Sequence, residues 1–309
     1  SGFGEALVKH YPLFERVVDH SLGVIVHNEH ARRQVLHYCP KAQVTQINQH
    51  FFLPPGFADR PVDMNALRTQ WGLEGRFVIG SCGILVPEKR IDNCLRAFTR
   101  FLDHHPDAVY FFVGNYPSNY DLPGIIHNYG LDDHVRITGW MDPIAFTQHM
   151  QLVDVGVHLR YPHIGGTPFT PFRMMGLGIP TLLSDIEPLA DLPEGACVKV
   201  APDEFEEETL FVLFSELADN EALRRQIGEN GAHWIHNHHD AAQIATRYLK
   251  VIEAAIARPR SDWPLHSKAE HAINYLIQEV ADLIYNLKIS QQDDEALRFF
   301  ADAIWQQLI

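Results

Sequence analysis

Short apolar runs alternate with longer stretches of helical periodicity along most of the chain. Residues 22–27, 43–48, 77–82, 108–114, 135–139, 155–159, 180–184 and 197–200 are strand-length segments. Most are continuously apolar, as strands covered on both faces are. Between them, residues 90–102 place Ile91, Cys94, Leu95, Phe98, Phe101 and Leu102 at helical spacing. Residues 172–177, 205–218 and 241–257 read as further helices. This alternation predicts an α/β fold whose parallel strands are joined by crossover helices. The stretch 54–61, with Pro54-Pro55-Gly56, reads as a linker between two α/β units, and residues 258–264 form a second break. Helical patterns at 271–287 and 294–308 follow it, so the expected units are 1–55, 56–257 and a helical extension at 258–309. No repeat of solenoid period is visible.

Composition narrows the function classes. With 309 residues, 46% apolar and 21% charged, the chain is globular and has room for two domains. Its net charge of -14 repels phosphate backbones, which argues against nucleic acid as a partner. No run approaches the roughly 18 apolar residues of a membrane span, so transmembrane insertion is not expected, while peripheral contact with a membrane stays open. Cys39, Cys82, Cys94 and Cys197 are scattered without C-x-x-C spacing, which points to a reducing cytoplasm. The opening Ser1-Gly2-Phe3-Gly4 lacks both an initiator Met and a signal-peptide pattern, and the sequence reads as a fragment.

Two loops carry candidate chemistry. The first runs from Gly83 through Ile84, Leu85, Val86, Pro87, Glu88, Lys89 and Arg90 into a helix. Ligands of open parallel sheets bind beyond the carboxyl ends of strands, and a helix N-terminus there favours an anion. Lys89 adds a mobile ammonium and Arg90 a planar fork, a pairing suited to a diphosphate. Against this, both residues are ordinary solvated side chains at a helix start. The dipole mildly disfavours cations there, which tilts the balance toward function. The second loop contains Arg160, Gly165, Gly166, Thr167 and Thr170 and opens onto the helix at 172–177. Its glycines allow close backbone approach, and Thr170-Pro171 reads as an N-cap followed by the first helical residue. A Gly-Gly loop alone is more often a plain turn.

Other clusters have blander readings. His236, His238 and His239 end a helix without a spaced partner pair and read as solvated rather than metal-binding. Residues 203–208 read as a favourable acidic first turn, and His104-His105 as a helix C-terminus. Ser184-Asp185 lacks a nucleophile elbow.

Over residues 13–257 the chain resembles the GT-B glycosyltransferases, specifically the retaining, nucleotide-sugar-dependent family four. The resemblance rests on ordered segments. These are Ile79-Gly80-Ser81-Cys82-Gly83, Pro87-Glu88-Lys89-Arg90-Ile91-Asp92, Phe111-Phe112-Val113-Gly114, Val135-Arg136-Ile137-Thr138-Gly139-Trp140, Leu159-Arg160-Tyr161-Pro162 and Gly178-Ile179-Pro180 with the strand behind it. It implies a Rossmann-like parallel sheet flanked by helices as the donor-binding domain, preceded by a partial N-terminal α/β remnant. It also implies metal-independent, cofactor-free transfer of a sugar, with retention, from a UDP or GDP type donor to a glycan or lipid-linked acceptor. The setting would be the cytoplasm or the inner face of its membrane.

By the same resemblance Lys89 offsets charge developing on the leaving diphosphate. Arg90 and Arg160 hold that diphosphate, Gly83, Gly165, Gly166, Thr167 and Thr170 line it, and Trp140 with Met141 lies near the base. A packed loop aromatic is the competing reading of Trp140. The family's arginine before the lysine is replaced by Ile84, and its two glutamates by Gly165 and Arg173. Residues 13–54 match only the end of the family's acceptor-binding domain, so its catalytic histidine and glycine-rich loop have no counterpart and the chain reads as a donor-binding half. These departures motivate a second reading, a non-catalytic module serving as partner or regulatory subunit. A nucleotide-sugar epimerase on the same fold is a third.

Overall fold

Residues 15–163 and 165–259 are described by the structure, a computed structural model. Strands β3 (Val78–Cys82) and β4 (Val109–Val113) are buried along their whole length, which is why they read as unbroken apolar runs. They pair in parallel from Val78–Val109 to Cys82–Val113. With β5 (Val135–Ile137), β6 (Val155–His158), β7 (Thr181–Ser184) and β8 (Val198–Val200) they form a six-stranded parallel sheet in the order β5-β4-β3-β6-β7-β8. The order reverses between β3 and β6. Loops leaving these neighbouring strands therefore open on the same crevice at the switch point.

Helices cover both faces. Alternate β4 residues Tyr110 and Phe112 meet Phe98 and Phe101 of α4 (Ile91–Phe101) and Phe214 of α8 (Glu206–Asp219). Val109, Phe111 and Val113 point the other way, toward Leu67 of α3 (Met64–Trp71), Met150 of α6 (Pro143–Met150) and Met174 of α7 (Phe169–Gly176). Ahead of the sheet, α1 (Glu15–Asp19), β1 (Val24–Val26), α2 (Glu29–Tyr38) and β2 (Val44–Gln46) make a small unit in which β1 and β2 pair in parallel. The chain continues through α5 (Leu122–Asn128), α9 (Glu221–His238) and α10 (Ala241–Ile256).

All eight expected strands are present, trimmed at their ends. Several helices that the apolar pattern did not mark, α2, α3, α5 and α6, are short, whereas α9, also unmarked, has 18 residues. The starts of the short four are set by side-chain caps: Asn28 for α2, Asp63 for α3, Asp121 for α5 and Asp142 for α6. One cap expectation is corrected. Helix α7 begins at Phe169, with Pro168 at the cap position and no side-chain cap, so Thr170 and Pro171 lie inside its first turn. The helices expected at 271–287 and 294–308 lie outside the described residues.

Several seams join the front unit to the rest, two of them at Phe51 and at the return of α10. Phe51 N–H donates to the His239 carbonyl at 2.6 Å, and its ring packs in the cluster with Phe172 and Leu183. Helix α10 returns to the front, where Arg247 donates to the Gln46 carbonyl at 2.8 Å and Arg258 to that of Leu22 at 2.7 Å. His239 is a further correction. It is not solvated but buried, its Nδ1 bonded to the Gln49 carbonyl, and burial pulls its pKa down to about 4. Among the described residues no helix is long and apolar enough to cross a membrane.

Candidate functional site

The crevice is built by the ends of β3 and β6. After Cys82 the chain turns through Gly83 (φ 97°), whose amide still donates to the Val113 carbonyl at 2.8 Å. A short 3-10 turn, Pro87–Lys89, then brings the chain to α4. The turn folds the Lys89 side chain back under the loop, where Nζ donates to the Cys82 carbonyl at 2.7 Å. Lys89 is only 7% exposed, and among the described residues no carboxylate pairs with it or shifts it. Burial lowers its pKa to about 8, and the nearby Arg160 pushes it the same way.

Gly83 is the close-packing point. A Cβ there would stand 3.1 Å from Lys89 Nζ and 3.3 Å from Thr170 Oγ1, so loop, amine and hydroxyl meet in one place. Thr170 is in the uncapped first turn of α7. At a helix end without a capping side chain, the first amides stay available to an anion.

His158 completes this floor, and the sequence reading missed it. It ends β6, is 4% exposed, and neither ring nitrogen has a hydrogen-bond partner among the described residues. Burial, then Lys89 and Arg160, hold its pKa well below the ordinary imidazole value. The signal was available: His158 is the one polar side chain in the run Val155-Gly156-Val157-His158-Leu159. Lys89 and Arg160 thus both lie near His158, and among the described residues no carboxylate shifts Lys89 or His158.

The other expected residues divide. Arg160 is half-buried beside Lys89, its amide held by Ser184 Oγ at 2.8 Å. Gly166 is open, and Trp140 is 79% exposed next to half-buried Met141. Arg173 lies over the Phe169 ring at 5.3 Å, its Nε buried without a partner, and burial lowers its pKa. Ile84, at the place of the family's arginine, points into solvent.

Two expected residues are partly engaged within the protein. Arg90 Nε is bonded at 2.7 Å to Glu206, whose side chain is fully buried in α8, while the guanidinium keeps 28% exposure. Asn93 donates to the same Glu206 oxygen. The acidic first turn is therefore not simply solvated: Glu206 locks α8 against the Lys89 turn. Gly165 N–H is likewise occupied, donating to His163 Nδ1 at 3.2 Å.

A pH dependence follows. An anion held by Lys89 would pair with its protonated amine, whose folded pKa of about 8 lies below that of an unfolded lysine. Affinity for an anionic ligand is expected to hold from pH 6.5 to 7.5 and to fall by up to roughly tenfold per unit above pH 8. Calorimetric titration of UDP across that range checks the slope, and a flat profile to pH 9.5 contradicts it.

Comparisons with known proteins bear on this geometry. The family model described as glycosyl transferases group 1 matches residues 63–234. Alpha-D-kanosaminyltransferase of Streptomyces kanamyceticus is 24% identical over 176 residues, which is 57% of this chain and 45% of that protein. The fold is similar to sucrose-phosphate synthase from Thermosynechococcus elongatus, with TM-score 0.66 and 19% identity over 79% of this chain and 60% of that one. Anabaena HepE, solved with UDP and glucose, gives TM-score 0.66 and 19% identity over 76% of this chain and 64% of that one. The chain thus spans less than two thirds of the length of each of these relatives.

Proposed function

Because the chain belongs to the group 1 glycosyl transferases, we propose that it binds a nucleoside diphosphate-sugar at the ends of β3 and β6 and serves transfer of the sugar to a glycan or lipid-linked acceptor. The observation that carries this reading is the buried Lys89 amine, set against Gly83 and Thr170 and beside Arg160 with no acid among its neighbours. An uncompensated buried cation is costly, and a diphosphate supplies the missing charge. The similar fold of HepE, solved with UDP and glucose, supports a UDP type donor, with GDP as the competing class.

The chemistry follows from that placement. The bond from the anomeric carbon to the donor phosphate breaks, and its electron pair stays on the phosphate oxygen. Lys89 and Arg160 offset the charge that develops there, which is electrostatic stabilisation in a site of low dielectric. This supports a metal-independent reaction, since two protein cations already face the leaving group. The acceptor hydroxyl forms the new bond on the donor's own face and its proton leaves with the phosphate, giving retention as in family four. The front unit, residues 15–48, corresponds in this reading to the end of an acceptor-side domain. Cys82, Cys94 and Cys197 are buried free thiols, which supports a reducing, cytoplasmic setting.

Product analysis tests the stereochemical part. Incubation with UDP-sugars and a panel of glycan acceptors, followed by proton NMR of the product, is expected to show the donor's anomeric configuration kept. An inverted product contradicts the reading. Epimerised sugar formed without acceptor favours the epimerase instead.

A further inference from the structure

We infer that Asn28 is a positioning residue through which the front unit holds the loop at 165–167 in its phosphate-binding shape. The inference rests on the donor-site reading above. Asn28 follows β1 and is 3% exposed. Its Oδ1 accepts from the Ala31 amide at 2.7 Å and so caps α2. Its Nδ2 leaves the front unit altogether, donating to Thr167 Oγ1 at 2.7 Å and to the Gly165 carbonyl at 3.2 Å, 139 and 137 residues along the chain.

Capping alone does not call for asparagine. Serine, threonine or aspartate serve as well at this position. A primary amide is different because it accepts on one side and donates twice on the other, and all of those capacities are used here. The consequence at Thr167 is specific. Its oxygen accepts from Asn28, so its own hydroxyl proton is left to donate, and an anion is what such a donor suits. The loop is fixed on its other side as well, where Gly165 N–H meets His163 Nδ1 at 3.2 Å and His163 Nε2 meets Glu187 Oε2 at 3.0 Å. Gly165 itself sits at φ 81°, where few other residues follow. Loop shape is thereby set before any ligand arrives, and donor affinity depends on a residue outside the donor-binding sheet.

Asn28→Ser separates capping from positioning: serine keeps the cap and the neutral charge but is too short to reach the loop. UDP and GDP are titrated calorimetrically into the parent chain, Asn28→Ser, Thr167→Val, the double variant and Thr167→Ser, with thermal unfolding recorded for each. Losing two hydrogen bonds that order the loop is expected to weaken binding about five- to thirty-fold in Asn28→Ser. Its melting temperature should stay within a few degrees of the parent. The double variant should lose less than the sum of the two single losses, because the Asn28–Thr167 bond is common to both changes while the Asn28–Gly165 bond belongs to Asn28 alone. Thr167→Ser, which keeps the oxygen, should recover most of the affinity that Thr167→Val loses. Unchanged affinity in a folded Asn28→Ser overturns the inference, and so do additive losses. If Asn28→Ser does not fold, the pair is judged from its other end, and Thr167→Val binding like the parent overturns it. A parent chain that binds neither nucleotide overturns the donor site itself, which no difference among variants can mimic.

Discussion

Alanine at Lys89 is expected to lower donor turnover by about 10²–10³-fold, the usual cost of removing one stabilising group from a developing oxyanion. The fold should survive and even gain. Lys89 is buried beside Arg160, and a lysine whose folded pKa has dropped to about 8 makes a charged amine costly in the native state. Below pH 8 the native protein carries that burden. The burden disappears as pH rises past the unfolded lysine value near 10.4. An apolar replacement of similar length, Lys89→Met, should therefore raise stability at pH 7 by on the order of 2 kcal/mol, and the gain should vanish above about pH 10. Sugar release from the donor and a melting curve for each variant check both halves. Activity retained in Lys89→Ala, or a Lys89→Met variant less stable at pH 7 than the parent, contradicts this assignment.

Glu206→Ala is expected to destabilise the chain by about 2–4 kcal/mol, because it removes one partner of a buried, hydrogen-bonded ion pair. The Glu206 side chain is fully buried, while Arg90 retains 28% exposure, so the stranded guanidinium can partly reach water and the cost stays at the lower end. The larger interest is where the loss is felt. Arg90 adopts φ 57°, a left-handed conformation at the junction between the Pro87–Lys89 turn and α4. Glu206 holds the guanidinium of that strained residue, and Asn93 shares the same carboxylate. Freeing Arg90 loosens the turn that folds Lys89 under the loop. Nucleotide affinity should therefore fall along with stability, whereas Glu208→Ala, on the same helix as Glu206 but with a 57% exposed carboxylate paired with Arg100 of α4, should change neither by much. Urea unfolding and UDP titration of the two variants measure the contrast. Equal behaviour of the two rules out the proposed coupling.

The sheet was legible because its strands are covered on both faces. Runs such as Val109-Tyr110-Phe111-Phe112-Val113 announce themselves without any knowledge of partners. Lys89 was legible too, since it follows a strand end and precedes a helix. Arg90 and Glu206 were not. The acidic string at 203–208 satisfies a helix N-terminus, and nothing local tells that one of its carboxylates faces inward against an arginine 116 residues away. Burial of that carboxylate is a tertiary event, decided when α8 packs on α4. Asn28 and His158 were hidden for related reasons. Asn28 reads as an ordinary helix cap until its amide is seen to cross to the loop at 165–167, and His158 reads as an interruption in an apolar strand until its neighbours are known. Thr170 was misplaced by two residues because Thr-Pro is a common helix start and Pro168, two residues earlier, takes the cap position instead.

The central claim is that the crevice between β3 and β6 binds a nucleoside diphosphate through Lys89. Calorimetric titration at pH 7 with UDP, GDP and their sugar conjugates, on the parent chain and on Lys89→Ala, tests it most directly. The account predicts saturable binding of one nucleotide class by the parent, weakened by about 10–100-fold in Lys89→Ala, the worth of a charge-assisted contact to a phosphate. Absence of binding by the parent, or equal binding by both proteins, would contradict it.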